Sequence, residues 1–117
     1  MTSAFTTQQH EKFTVIEFQI QSLMDPVELE KIAAELYRLI DAEDRRRIIL
    51  DFERVKYLSS QAIGIIMNMH RKLAALPRSK LVLCSINPAL QQLLKITSLD
   101  KLLTVKASQK EAVKVWD

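Results

Sequence analysis

Two adjacent serines, Ser59 and Ser60, precede His70 by eleven and ten residues. A hydroxyl and an imidazole are the parts of a hydrolytic nucleophile, provided that they reach each other. Spacing argues against it, because 59–76 reads as one helix and about 15 Å of axis separates the two groups at 1.5 Å per residue. His70 is therefore read as an ordinary helix residue. Asp51 and Glu53 invite an acid-base reading. As strand residues two apart they share a face, with no substrate pocket implied. Cys84, His10 and His70 fall short of the four Cys or His ligands that a structural zinc site normally wants. Cys84 lies in an apolar run and reads as a small buried hydrophobe. No catalytic residue, metal site or cofactor is expected.

Composition narrows the field further. The chain has 117 residues, 48% of them hydrophobic and 26% charged, enough for one globular domain over residues 1–117. A single glycine cannot build a phosphate-cradling loop, which needs several close backbone approaches. One cysteine forbids an internal disulfide and suits a reducing compartment, so a cytoplasmic protein is expected. The excess of 17 Lys and Arg over 14 Asp and Glu is small. Its only basic run, Arg45 to Arg47, follows Asp41, Glu43 and Asp44, which cancel its field locally. With aromatic residues at 6%, no nucleic-acid footprint is read. Residues 1–11 are polar, unlike a secretory signal, and no stretch nears the roughly 20 apolar residues of a membrane span.

These candidates must be positioned by elements that the hydrophobic pattern delimits. Phe13 to Phe18 is rich in β-branched and aromatic residues and reads as a strand, paired with an earlier extended piece around Ala4 to Thr7. Leu29, Ile32, Ala33, Leu36 and Ile40 recur at helical spacing between Met24 and Ala42. Asp25 can cap that helix, Pro26 suits its first position, and Glu28 completes a capping box. The runs Ile48 to Phe52 and Leu81 to Cys84 are nearly all apolar, as in strands covered on both faces. Between them Ile63, Ile66, Met67, His70, Leu73 and Ala74 mark a helix, making a parallel strand-helix-strand crossover. Asn87-Pro88 opens a third helix, Leu103 to Val105 reads as a short strand, and Ser108 with Glu111 starts a terminal helix through Val115. The sum is a layered α/β domain without repeats or linkers.

The junction before the crossover helix is the most informative segment. Ser59 or Ser60 serves first as an N-cap, worth about 1 kcal/mol. The same helix start attracts anions, so a phosphoryl group on either serine would be tolerated locally. Gly64 lies inside the predicted helix, where it costs about 1 kcal/mol relative to alanine. Close packing of helix on sheet is the favoured reason for it, and access for a partner the other.

Four stretches then carry a family resemblance: Ile49 to Phe52, Val55 to Gly64, Leu81 to Cys84, and Leu93 to Asp100. In motif and element order, from about Phe13 to Val113, the chain resembles the STAS domain of bacterial anti-sigma factor antagonists. The resemblance implies a mixed, mostly parallel sheet of about four to five strands with helices packed on it. It also implies a binding module rather than an enzyme. Its partner would be an anti-sigma factor that is also a serine kinase, and phosphorylation at the helix start would reverse binding. The family's usual junction reads Asp-Ser-Ser/Thr-Gly-Leu-Gly, which sets Ser59 at the Asp, Gln61 at the phosphoacceptor and Gly64 at the last Gly. Gln61 cannot be phosphorylated. Either Ser60 or Ser59 replaces it, or the chain binds without a phosphoswitch. Ser98 likewise stands where the family commonly has Gly. The expected partner surface is the loop Arg54-Val55-Lys56-Tyr57 with Ser59, Ser60, Gln61 and Gly64. A scaffold or transporter-associated module of the same fold is the alternative.

Overall fold

The computed structural model describes residues 4–116. In chain order its elements are β1 (Phe5–Gln9), β2 (Thr14–Phe18), β3 (Ser22–Leu23), α1 (Pro26–Asp41), β4 (Arg47–Asp51), β5 (Tyr57–Leu58), α2 (Ser60–Ala74), β6 (Lys80–Cys84), α3 (Pro88–Ile96), β7 (Thr104–Lys106) and α4 (Gln109–Val113). Single 3₁₀ turns at Leu99–Lys101 and Lys114–Trp116 follow α3 and α4. The main sheet has the order β1-β2-β4-β6-β7. Only the β1–β2 hairpin is antiparallel, and β2, β4, β6 and β7 run parallel. The fold is the mixed sheet with packed helices that the resemblance implies.

Alternation along the strands divides the interior in two. Ile16, Ile48, Leu50, Leu81 and Leu83 face the larger core under α1, α2 and α3, where Leu29, Leu36, Met69, Leu73 and Leu94 meet them. Val15, Ile49, Val82 and Cys84 face the other way, against Ala112 of α4 and, more peripherally, Phe13 and Trp116. Central strands lined on both sides have few polar positions to spare, which is why their sequences read as nearly continuous apolar runs, interrupted only by Asp51. The terminal helix is shorter than expected, ending at Val113 before the 3₁₀ turn.

Local chemistry sets the helix starts. Asp25 Oδ2 accepts from Glu28 N at 3.2 Å with Pro26 in the first turn, Asn87 Oδ1 from Leu90 N at 2.9 Å, and Ser108 Oγ from Glu111 N at 3.2 Å. The pair β3–β5 lies outside the main sheet and was not anticipated. Two-residue strands are too short to show a period.

Among the described residues four non-glycine ones, Asp44, Arg78, Ser85 and Ser98, have positive φ. Ser98 follows α3 with φ 61° and ψ 16°, the left-handed conformation that a glycine adopts without steric cost. That backbone demand accounts for the glycine common at this place in the resembling family. Ser98→Gly should therefore stabilise the fold by roughly 0.5–1 kcal/mol, after allowing for the freer unfolded chain. Calorimetry should show a rise in Tm of a few degrees, and a fall would contradict the assignment.

Candidate functional site

The start of α2 is held in place by the loop that leaves β4. Phe52 N donates to Cys84 O at 3.0 Å and Val55 N to Phe52 O at 2.9 Å, folding the chain back on the strand ends. Val55 is buried at 1% exposure and Asn87 Nδ2 donates to its carbonyl at 3.2 Å. Lys56 N and Tyr57 N then both donate to Gln21 O, and Ser59 N to Leu23 O at 3.1 Å. Through the β3–β5 pairing, the α2 start is tied to the segment that enters α1.

From this brace the expected surface residues project as follows. Lys56, Ser60, Gln61 and Gly64 are exposed, and so is Arg54, whose Nη1 donates to Gln19 Oε1 at 2.8 Å. Tyr57 is 59% exposed. Ser59 is half-buried and is the cap: its Oγ accepts from Ala62 N at 3.2 Å. Ser60 occupies the first helical position with its hydroxyl in solvent. Gln61 reaches the α1 entry, with Nε2 donating to Pro26 O at 3.4 Å. No acidic residue lies in the first turn of α2, so nothing there offsets the positive end of the helix dipole.

Two expectations need correction. Val55 cannot belong to a surface, because its side chain is the plug on which the loop turns. Gly64 is not a packing glycine. It faces solvent, and a Cβ added to it would meet no atom within 4 Å. A helical glycine announces a missing side chain but not the direction in which it is missing, and here the direction is outward. The stripe Ala62, Ile65, Ile66, Met69 and Leu73 takes the inward face instead.

Two exposed apolar residues were missed. Met24 is 49% and Val27 62% exposed on either side of Pro26 in the chain, next to the Gln61 contact. The available signal was that Val27 falls off the Leu29-Ile32-Leu36 stripe while remaining apolar. With Tyr57, they place exposed apolar and aromatic side chains beside the polar residues of the α2 start, and Met and Tyr are among the types enriched at protein-binding surfaces.

The other chemical candidates are inert in place. Ser60 and His70 lie ten residues apart on one helix. Asp51 is buried, accepting from Glu53 N at 2.9 Å and from Gln109 Nε2 at 2.8 Å, so it holds structure. Burial, reinforced by the nearby Asp51 charge, pushes the Cys84 thiol up to about 12. Among the described residues no cluster of His, Cys, Asp and Glu could hold a metal ion, and no helix is long and apolar enough to cross a membrane.

A family model described as STAS domain matches residues 4–112. BtrV of Bordetella bronchiseptica, assigned as an anti-sigma factor antagonist, is 26% identical over 93 residues, 80% of this chain and 78% of its own. An anti-sigma-factor antagonist (STAS) domain protein from Planctomyces limnophilus superposes over 100% of both chains with TM-score 0.87 and 21% identity. The Bacillus cell fate determinant SpoIIAA, in its phosphorylated form, gives TM-score 0.75 and 23% identity over 97% of this chain and 100% of its own. At these identities the two structures attest the fold.

The two serines should separate in stability. Ser59→Ala removes the cap and should cost about 1 kcal/mol in urea unfolding, whereas Ser60→Ala should stay within about 0.5 kcal/mol. Equal effects would refute the assignment of the cap. Cys84 should react with a thiol reagent at pH 8 at least about 100-fold more slowly in the native than in the urea-unfolded chain. The raised native pKa also fixes a sign. The unfolded thiol ionises first, so the Cys84 contribution is intact below its usual value of 9.0 and is lost as pH climbs toward about 12. Fast native labelling at pH 8 would contradict the burial.

Proposed function

The chain belongs to the STAS domain family, and from that premise we propose that it binds an anti-sigma factor with serine-kinase activity through the α2 start, with Ser60 as the site of phosphorylation. It is a STAS protein of the anti-sigma factor antagonist type, a class of non-enzymatic regulators. The observation that carries the proposal is the outward presentation of Ser60, Gln61 and Gly64 on a rigidly braced helix start.

The physical reasoning distinguishes the serines. The Ser59 hydroxyl is occupied in capping Ala62 N, and a phosphoryl group there would crowd the cap. Ser60 has an exposed hydroxyl beside the uncompensated helix N-terminus. A dianion at Ser60 suits the free domain but changes the charge and desolvation cost of any interface formed over it. A shift of a few kcal/mol in that interface redistributes a partner between competitors. Gly64, one turn further on, leaves a side-chain-sized notch where a partner's backbone can approach. Arg54 and Tyr57 are of the residue types that dominate binding energy at such patches, and Lys56 adds positive charge beside them.

Gln61 supports a second reading. It occupies the family's acceptor position and donates its amide to Pro26 O, an arrangement compatible with a member that binds constitutively, as a scaffold or transporter-associated module would.

The test is capture of the partner from the source cell on the immobilised chain, followed by ATP and intact-mass analysis. A kinase partner and one added phosphate, absent from Ser60→Ala, is the expected result. Ser60→Asp should weaken partner affinity tenfold or more, or about 1.4 kcal/mol, while Ser60→Ala binds like the parent. Gly64→Gln should weaken binding similarly without lowering stability, since the new side chain enters open solvent. Equal affinities for all three variants and the parent would remove the α2 start from the interface. A non-kinase partner with no mass change would favour the second reading.

A further inference from the structure

The chain has seven arginines, and five are engaged. Arg38 and Arg45 share Glu43 at 2.7 and 2.8 Å, and Arg46 holds Asp44 at 3.0 Å. Arg54 donates to Gln19 and Arg71 to Asn68. The Arg45 hydrogen bond, opposed by some desolvation and aided by the charges of Arg45 and Arg38, holds the Glu43 carboxyl below its usual range. The local cancellation expected for the Arg45 to Arg47 run is therefore real for two of its members and fails for the third. Among the described residues, Arg47 and Arg78 are the arginines with no hydrogen-bond acceptor.

These two line one pocket, an open recess of about 410 Å³ completed by Glu11, Lys12, Asp44 and Arg46. Four cations face two anions there, and one of the anions, Asp44, is already committed to Arg46. Arg47 is half-buried at the first position of β4, and among the described residues no protein acceptor meets its guanidinium. A donor-rich group in that condition lowers its free energy when an acceptor arrives. The pocket is also built. Arg46 Nη1 donates to Pro77 O at 3.1 Å and Lys80 N to Arg46 O at 2.7 Å, binding the link into β4 to the link into β6. Arg78 is held at φ 57°, where glycine would fit without strain, yet a long cationic side chain stands there.

We propose that this recess binds a phosphate group, carried either by a small soluble ester or by an anionic lipid headgroup. Guanidinium forks match phosphate oxygens in pairs, and two of them with a lysine supply the donors for one multiply charged anion. The recess lies at the amino end of β4, whereas the loop to the α2 start leaves from Asp51 at its carboxyl end. Five residues of strand, about 15 Å, separate the two, so occupancy of one leaves the other open.

The test is an NMR titration of the full chain with inorganic pyrophosphate at constant ionic strength, with succinate as the carboxylate control. Saturable shifts confined to the residues around Lys12, Arg47 and Arg78 are expected, with affinity at least tenfold weaker for succinate. Arg47→Gln with Arg78→Gln should weaken pyrophosphate binding at least tenfold at an unchanged Tm. Arg78→Gln alone, in a surface link, is the fallback if the double variant does not fold, and it should weaken binding at least threefold. Co-sedimentation with phosphatidylglycerol but not phosphatidylcholine vesicles, lost in the same variants, is the second arm. Pyrophosphate saturation without vesicle binding assigns a soluble ester, and vesicle binding without it assigns a lipid headgroup. Shifts that grow without saturation and no vesicle binding, succinate binding as tight as pyrophosphate, or variants that bind like the parent, would overturn the proposal.

Discussion

The burial of Phe52 and Val55 at the end of the central strand is the constraint on which the α2 surface depends. Phe52 packs against Phe18 with ring centroids 5.1 Å apart, and Val55 is 1% exposed. Burying two such side chains is worth about 1.5–3 kcal/mol each, far more than any polar contact in the exposed loop. Between them the chain has only Glu53 and Arg54 with which to turn, so those two must face solvent. The two residues after the plug, Lys56 and Tyr57, are then fixed in direction by the Gln21 carbonyl. Exposure at the site is thus a consequence of what is buried just before it.

A second support comes from the opposite face of the sheet. Glu17, Asp51 and Cys84 are register neighbours on β2, β4 and β6. Gln109, at the start of α4, donates its one amide nitrogen to Glu17 Oε1 at 3.0 Å and to Asp51 Oδ2 at 2.8 Å. Two carboxylates brought side by side repel, and a neutral donor between them relieves part of that without adding a charge. The other Asp51 oxygen accepts from Glu53 N, the first of the two turn residues between Phe52 and Val55. One buried carboxylate therefore fastens both the terminal helix and the loop that leads to α2.

Much of this architecture was legible because it is driven by apolar area. The nearly continuous apolar runs Ile48 to Phe52 and Leu81 to Cys84 mark strands covered on both faces, and the helical stripes of α1 and α2 mark the helices that cover them. The caps at Asp25, Asn87 and Ser108 were legible for a local reason, since each bonds to an amide three residues on. Direction was harder to read. Gly64 looked like a packing residue because a glycine's cost in a helix is the same on either face. The position of Val55 was misjudged because a valine between charged residues has no periodic partner to reveal that it turns inward. The β3–β5 pair was invisible, since its evidence lies in hydrogen bonds between backbones more than thirty residues apart.

Charge shows the same limit. Counting along the sequence paired Arg45 to Arg47 with Asp41, Glu43 and Asp44, one acid for each base. In the fold Asp41 turns to Lys72 at 2.7 Å, while Glu43 serves both Arg38 and Arg45. The helix end explains this. Asp41 is the last residue of α1 and projects toward the neighbouring α2, whereas Arg47 has already entered β4. An exposed ion pair contributes at most about 1 kcal/mol, so the exchange of partners has little effect on stability. Its effect is on where the unneutralised charge resides. Arg47 and Arg78 are left without a carboxylate, and they meet in the recess at the amino end of β4, at the opposite end of that strand from the turn that presents α2.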